Sequence, residues 1–197
     1  MAGVKGNRRI IYTKKAIRDS LIDLLQSKEI HQITVTDICK KADINRGTFY
    51  THYKDAFDLL QSIEDELFNQ IVDYINETPV EEYVDSLLPK VLELIVENKN
   101  MCKILFCKQK DNRILERVLS VASKADFEKI CGDSNEFIKS NINYFIRYSV
   151  GGCISIIQAW LENDLPQSPS ELVEIINNIN NFDNKYLNKS KLKTTSE

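Results

Sequence analysis

The chain has 197 residues, 43% hydrophobic and 28% charged, with a formal net charge of −3. That supplies a core for one ordinary soluble domain, or a small module fused to a larger one. No run of about 18 apolar residues and no charged-then-apolar leader is present, so neither a membrane span nor a secretion signal is expected. Net charge alone argues against nucleic acid, but its distribution argues for it. Residues 1–56 carry 11 Lys and Arg against 6 Asp and Glu, and the remainder carries 15 against 23. A basic head on an acidic body is the pattern of a polyanion binder.

The chain begins with MAGVKGNRR, two glycines and three bases without apolar rhythm, read as a flexible basic arm over 1–9. From Tyr12 to about Lys28, Ile17, Leu21, Leu24 and Leu25 recur at helical spacing, with Thr13 as cap. Lys14, Lys15 and Arg18 in the first turns oppose the helix dipole, which hints at an external anion.

Thr34 to Tyr53, TVTDICKKADINRGTFYTHY, reads as two short helices joined by a tight turn. Thr34 or Thr36 caps the first, Asp43-Ile44-Asn45 turns the chain, and Asn45 caps a second helix starting at Arg46. That second helix is short, polar and free of acids, so it contributes little to a core. Arg46 suits bidentate contact with guanine, and Thr48 suits a thymine methyl or a phosphate. Gly47 permits close approach, and Tyr50, His52, Tyr53 and Lys54 offer donors to phosphates. Tyr53 reads equally well as a core aromatic, and Phe49 reads as core.

Asp55 opens a long helix to about residue 77, with Phe57, Leu60, Ile63, Leu67, Phe68, Ile71 and Ile75 on its apolar side. Thr78-Pro79-Val80-Glu81 predicts a new helix running to about Asn98, kinked at Pro89. Further helices are expected over Met101–Lys108, Arg113–Cys131 and 135–163. Gly151-Gly152 in the last of these costs roughly 1 kcal/mol per glycine, tolerable where another helix backbone comes close. Ser168-Pro169-Ser170-Glu171 repeats the start signal for a final helix through Leu172, Ile175, Ile176 and Ile179. The tail from Asn188 is polar and expected to be disordered. With no convincing period-two segment, the fold class is all-α, about nine helices.

The five cysteines, Cys39, Cys102, Cys107, Cys131 and Cys153, lack CxxC or paired-histidine spacing. They read as reduced, mostly buried thiols in a cytoplasmic protein, and no metal or other cofactor is expected. No phosphate-cradling glycine loop and no cysteine with a histidine near it in sequence supports catalysis, so the chain is not read as an enzyme.

The stretch ITVTDICKKADINRGTFYTHYKDAFDLL resembles the helix-turn-helix of the tetracycline-repressor (TetR) family of bacterial regulators. The likeness covers about Tyr12 to Glu66 and rests on Thr-x-x-x-Ile, Gly-Thr-Phe-Tyr and His-Tyr-Lys at fixed spacing. It implies DNA contacts at Thr36, Arg46, Gly47, Thr48, Tyr50, His52 and Lys54; Asn45 and Tyr53 complete the candidate set. Two positions depart from the family pattern, which usually has lysine at Ala56 and glycine at Asp43. The implied organisation is a DNA-binding head over 10–56, a ligand-binding and dimerisation body over 57–187, and tails at 1–9 and 188–197.

By the same resemblance, the last two long helices pair across a twofold axis. Gly151, Gly152, Ile154, Ile157, Leu161, Leu172, Ile175, Ile176 and Ile179 are then candidates for a homodimer interface, with intrachain core as the alternative. GGCISIIQAWLENDLPQSPSEL is similar to the C-terminal domain of a subgroup that includes regulators of dihydroxyacetone-kinase operons. A small-molecule effector is implied, with Phe106, Phe127, Tyr144, Tyr148 and Trp160 as cavity or core aromatics. The expected function is a ligand-responsive regulator, read as a repressor, that binds a palindromic duplex operator as a homodimer. The alternative is a co-regulator of the same fold acting through a protein partner.

Overall fold

The computed structural model describes residues 2–108, 113–122 and 140–179. All regular structure among the described residues is helical. The division between two compact units falls after Asn69, inside one long helix.

In the first unit, α1 spans Ala2–Leu25, α2 Val35–Ala42 and α3 Arg46–Tyr50, and α4, Ala56–Glu77, begins. Ile17 and Leu21 of α1, Ile38 of α2, Phe49 of α3, and Leu59, Ile63 and Leu67 of α4 are essentially inaccessible to solvent. Burying each contributes on the order of 1.5–3 kcal/mol, so α3 is held through one residue, Phe49. An Arg18–Glu66 ion pair ties α1 to α4, and Lys41 Nζ lies 3.2 Å from Asp23 Oδ2, tying α2 to α1. The first half of α4 is thereby part of the head's core, which is why the unit division falls well beyond Ala56. Phe57, expected on the apolar side of α4, is 55% exposed.

Two expectations about α1 are corrected. The basic arm is not separate from it, because Ala2–Arg9 continues the helix. Thr13 is therefore mid-helix and caps nothing; its hydroxyl donates to the Arg9 carbonyl at 2.9 Å.

The second unit contains the end of α4, then α5 (Leu88–Glu97), α6 (Lys99–Lys103), α7 (Arg113–Ala122), α8 (Ile142–Glu162) and α9 (residues 169–179). Its core includes Leu92 and Ile95 of α5, Cys102 of α6, Ile104, Leu105 and Phe106 just after it, Ile114 of α7, Ile146, Trp160 and Leu161 of α8, and Leu172 and Ile176 of α9. The expected extensions over 123–131, 135–139 and 180–187, and the tail 188–197, lie outside the described residues. A turn at Asn141 precedes α8.

Two helix-start signals of the same form behave differently. At Ser168 the backbone N–H and the hydroxyl both donate to Glu171 Oε2 at 2.7 Å, and the Glu171 N–H donates back to Ser168 Oγ at 3.3 Å. At Thr78 the hydroxyl is buried and makes no hydrogen bond. The chain instead enters a 3₁₀ turn, Val80–Glu82, closed by Glu82 N–H to Pro79 carbonyl at 2.9 Å. The expected kink at Pro89 is also replaced. A π turn over Tyr83–Leu87 precedes α5, and the Leu88 N–H donates to Tyr83, five residues back. Pro89 falls in the first turn of α5, where a missing N–H costs nothing. A second π turn, Ile104–Lys108, follows α6 in place of the continuous helix expected there.

Candidate nucleic-acid interface

The interface is built from α2, its turn and α3. Thr34 is the cap of α2: its hydroxyl accepts from Asp37 N–H at 3.1 Å, and Asp37 Oδ2 accepts from the Thr34 N–H at 3.0 Å and hydroxyl at 2.8 Å. Those donors, the Thr34 N–H first, hold the Asp37 carboxyl below its ordinary pKa. Thr36 is left exposed on α2. Ile38 and Cys39 turn inward, and burial raises the Cys39 thiol pKa.

Helix α2 ends at Asp43, which adopts φ 52°, ψ 48° and donates its N–H to the Cys39 carbonyl. The left-handed conformation is one that aspartate reaches at a cost of about 1 kcal/mol and glycine without one. This is the physical content of the Asp43 departure from the family pattern.

Asn45 then caps α3. Its Oδ1 accepts from Thr48 N–H at 2.7 Å and from the Thr48 hydroxyl at 3.1 Å. A Cβ on Gly47 would sit 3.2 Å from that same oxygen, so glycine here clears the cap as well as the outer face. At the other end the Thr51 hydroxyl donates to the Thr48 carbonyl at 2.6 Å, a closure that no sequence pattern indicated.

With Phe49 buried, α3 turns Arg46, Gly47 and Tyr50 to solvent, and Thr48 is half-buried. Arg46 Nη2 donates to the Tyr50 hydroxyl at 3.2 Å, with its guanidinium carbon 5.8 Å from the ring centroid. A planar fork is thus held over a rigid ring at the exposed edge of the helix. Lys54 is exposed and His52 half-buried. Tyr53 is only 6% exposed, tilted against Phe49 with ring centroids 5.8 Å apart. Desolvation raises its phenol pKa, opposed by nearby Arg18. Of the candidate set, Tyr53 offers the least surface, because its ring closes the core beneath α3.

Three of the acids around this face accept from backbone donors, while Asp43 in the turn is exposed. Asp37 accepts from Thr34, Asp55 from Asp58 N–H at 2.8 Å, and Asp58 from Lys54 N–H at 2.9 Å. Each carboxylate is directed at a helix start, where the dipole offsets its charge. Ala56 is buried, 4% exposed, so this chain places a core methyl where the family pattern has a lysine.

The body candidates separate into inside and outside. Phe106 and Trp160 are buried, and Trp160 Nε1 donates to the Gln167 carbonyl at 2.9 Å, a structural role. Tyr144 and Tyr148 are 75% and 64% exposed. Phe127 lies outside the described residues. Leu161, Leu172 and Ile176 are intrachain core, while Ile175 and Ile179 are 40% and 44% exposed. Gly152 is exposed; Gly151, Ile154 and Ile157 are half-buried. Among the described residues nothing lies within 4 Å of a Cβ placed on Gly151 or Gly152, so none of them supplies the close helix expected there. Among the described residues no helix is long and apolar enough to cross a membrane, and no cluster of metal-ligating side chains occurs.

A TetR-family model, described as the transcriptional regulator C-terminal region, matches residues 82–182. The chain is 34% identical over 70 residues to the HTH-type transcriptional regulator YxbF of Bacillus subtilis (strain 168), covering 35% of this chain and 18% of that one. It is 37% identical over 65 residues to the HTH-type dhaKLM operon transcriptional activator DhaS of Lactococcus lactis, covering 33% of this chain and 35% of that one. These matches therefore span well under half the length of either relative. A TetR transcriptional regulator from Streptococcus agalactiae 2603V has the same fold, with TM-score 0.61 at 24% identity over 89% of this chain and 97% of that one. The chain is a member of the TetR family of transcriptional regulators, and not an enzyme.

Proposed function

We propose that the chain is a homodimeric, effector-responsive repressor whose two α3 helices read the half-sites of a near-palindromic operator. One observation carries the DNA reading. Helix α3 buries only Phe49 and presents Arg46, Gly47 and Tyr50 outward, with every nearby acid of α2 and α4 named above folded onto a backbone donor. Two heads related by a twofold axis match a twofold-symmetric duplex.

The dimer reading rests on the outer side of α8 and α9. Tyr144, Tyr148, Gly152, Ser155 and Ala159 recur at helical spacing on α8 and are all exposed, and Ile175 and Ile179, one turn apart on α9, are exposed as well. Aromatic, small and aliphatic residues on one face suit close packing against a second copy. Tyr144 and Tyr148 are accordingly assigned to this face and not to an effector cavity.

An effector held in the body alters the spacing of the heads through α4 by binding one spacing more tightly than the other. Repression follows from a bulky dimer occupying promoter DNA. Activation is the second reading, favoured by the similarity to DhaS, named as an activator. A co-regulator working through a protein partner would leave the Arg46 face unused.

The test is selection of duplexes from a random pool, then binding by fluorescence anisotropy and a reporter fused to the DNA upstream of the gene. Arg46→Ala weakens the selected duplex by about 1–3 kcal/mol and relaxes preference at one position. Lys54→Ala lowers the salt slope by about 0.9 per bound protomer and leaves preference intact. Affinity unchanged in both variants overturns the DNA reading, and reporter output that falls on deletion of the gene selects activation.

A further inference from the structure

We infer that one side of α1, formed by Arg8, Arg9, Tyr12 and Lys15, is a second contact to DNA, a sequence-independent grip on phosphates outside the helix-turn-helix. The inference rests on the DNA-binding reading of the head.

The first ground is that this part of α1 has no core to serve. From Arg8 to Ala16 no side chain is buried; burial begins at Ile17 and continues at Ser20, Leu21 and Ile22. Ile10, Ile11 and Tyr12 are 47%, 59% and 66% exposed. At 1.5 Å per residue, the helix runs about 13 Å from Ile17 back to Arg8 without packing. Such a segment is not held by tertiary burial, the usual source of helical stability.

The second ground is charge. The first 18 residues hold six bases and no acid. A solvated helix normally pairs bases with acids three or four residues away; none stands at that spacing from Arg8 or Arg9, and only Lys15 has one, Asp19. Bases in early turns also oppose the dipole. Arg8, Arg9, Tyr12 and Lys15 fall at i, i+1, i+4 and i+7, within an arc of about 120°. That arc lies opposite Ile17 and Leu21, so the stripe faces away from the head's core. All four are exposed.

The third ground is position. Arg18, one turn beyond the stripe, lies close enough to Tyr53 to act on its phenol, and Tyr53 is flanked by His52 and Lys54. Ion pairs from Arg18 to Glu66 and from Asp23 to Lys41 fix the following turns of α1 to α4 and α2 of the same head. Arg8 to Lys15 covers about 10 Å of helix, a length over which one DNA strand offers roughly three phosphates. Three cations and a phenol hydroxyl match that number.

The test uses the full chain with Arg8→Gln/Arg9→Gln/Lys15→Gln, and Lys90→Gln, an exposed body lysine, as the charge control. The probes are a duplex of random sequence, a duplex selected by the wild type, and phosphatidylserine vesicles. Glutamine keeps helix propensity, and circular dichroism verifies the fold. The expected result is a salt slope lower by about 2–3 per bound protomer on both duplexes, their affinity ratio unchanged, and no change for Lys90→Gln. Arg8→Lys/Arg9→Lys is expected to keep the slope, which isolates charge from fold. An unchanged slope, a loss confined to the selected duplex, or vesicle binding lost while DNA binding is intact each overturns the assignment. If Arg46→Ala abolishes preference while the triple variant is silent, the DNA reading stands and the stripe fails; if the wild type binds no duplex, both fail.

Discussion

Asn45 stands in the candidate DNA-contacting set, yet its side-chain oxygen is already taken. Oδ1 accepts the Thr48 N–H at 2.7 Å and the Thr48 hydroxyl at 3.1 Å, at the start of a helix only five residues long. In so short a helix the cap satisfies one of the few backbone donors and also fixes Thr48. Replacing an asparagine cap by alanine costs about 0.5–2 kcal/mol, typically near 1. For a chain of this size that lowers the unfolding midpoint by about 2–4 °C per kcal/mol. The loss of operator affinity is then expected to be about fivefold for each half-site, because the energy that orders α3 is drawn from binding. Asn45→Asp separates cap from contact. Aspartate keeps the accepting oxygen, so stability is retained and the same sequences are selected, while its charge weakens every duplex alike and less so at high salt. The assays are thermal unfolding by circular dichroism and anisotropy on selected and random duplexes. A changed base preference in Asn45→Asp, with stability intact, would refute the capping assignment and make Asn45 a reader of bases.

Three further outcomes follow from the same geometry. Asp37 has a depressed pKa in the folded chain through its bonds from Thr34, so its contribution to stability is full above the ordinary carboxylate value of about 3.9 and is lost as pH falls below it. Asp37→Asn is expected to flatten the acid limb of the unfolding profile in that window, and an unchanged limb counts against the capping box. On the body, Gly152→Trp or Ile175→Glu is expected to yield a folded monomer by light scattering with weakened operator binding; a dimer that survives both removes the α8–α9 face as the interface. Leu161→Ala, within the chain's own core and inaccessible to solvent, is instead expected to cost about 2–5 kcal/mol of stability by urea unfolding.

The sequence made the head legible because local chemistry decides it. Thr34, Asn45 and Asp55 act as caps within three residues of their partners, and Phe49 and Ile38 fall where helical period places the core. Less local features were not legible. Thr78-Pro79-Val80-Glu81 and Ser168-Pro169-Ser170-Glu171 carry the same signal, but only the second forms a capping box. Thr78 is buried by tertiary packing and Ser168 is exposed, a difference that four residues cannot encode. Tyr53 was equally balanced between contact and core for the same reason. What decides it is the ring of Phe49 across a turn. In the body, aromatic character alone does not sort the cavity-or-core candidates; Trp160 is inside while Tyr144 and Tyr148 are exposed.

This division of labour also explains how so small a helix can serve as a reading element. Helix α3 is too short to be stable alone, since isolated helices below about 12–15 residues are marginal in water. Its order is imported through the Asn45 cap, the Thr51 closure and Phe49 in the core. None of those groups is one proposed to read bases. Arg46 and Tyr50 are therefore free of structural duty except toward each other, and the Arg46–Tyr50 hydrogen bond holds the guanidinium over the ring, as the proposed reading role would require. Tyr50→Phe keeps the ring beneath the guanidinium but removes the hydroxyl that anchors it. It is expected to weaken the selected duplex several-fold while leaving stability unchanged, because 50% exposed Tyr50 supports no core. Equal losses on selected and random duplexes would show that Tyr50 grips a phosphate directly and does not orient Arg46.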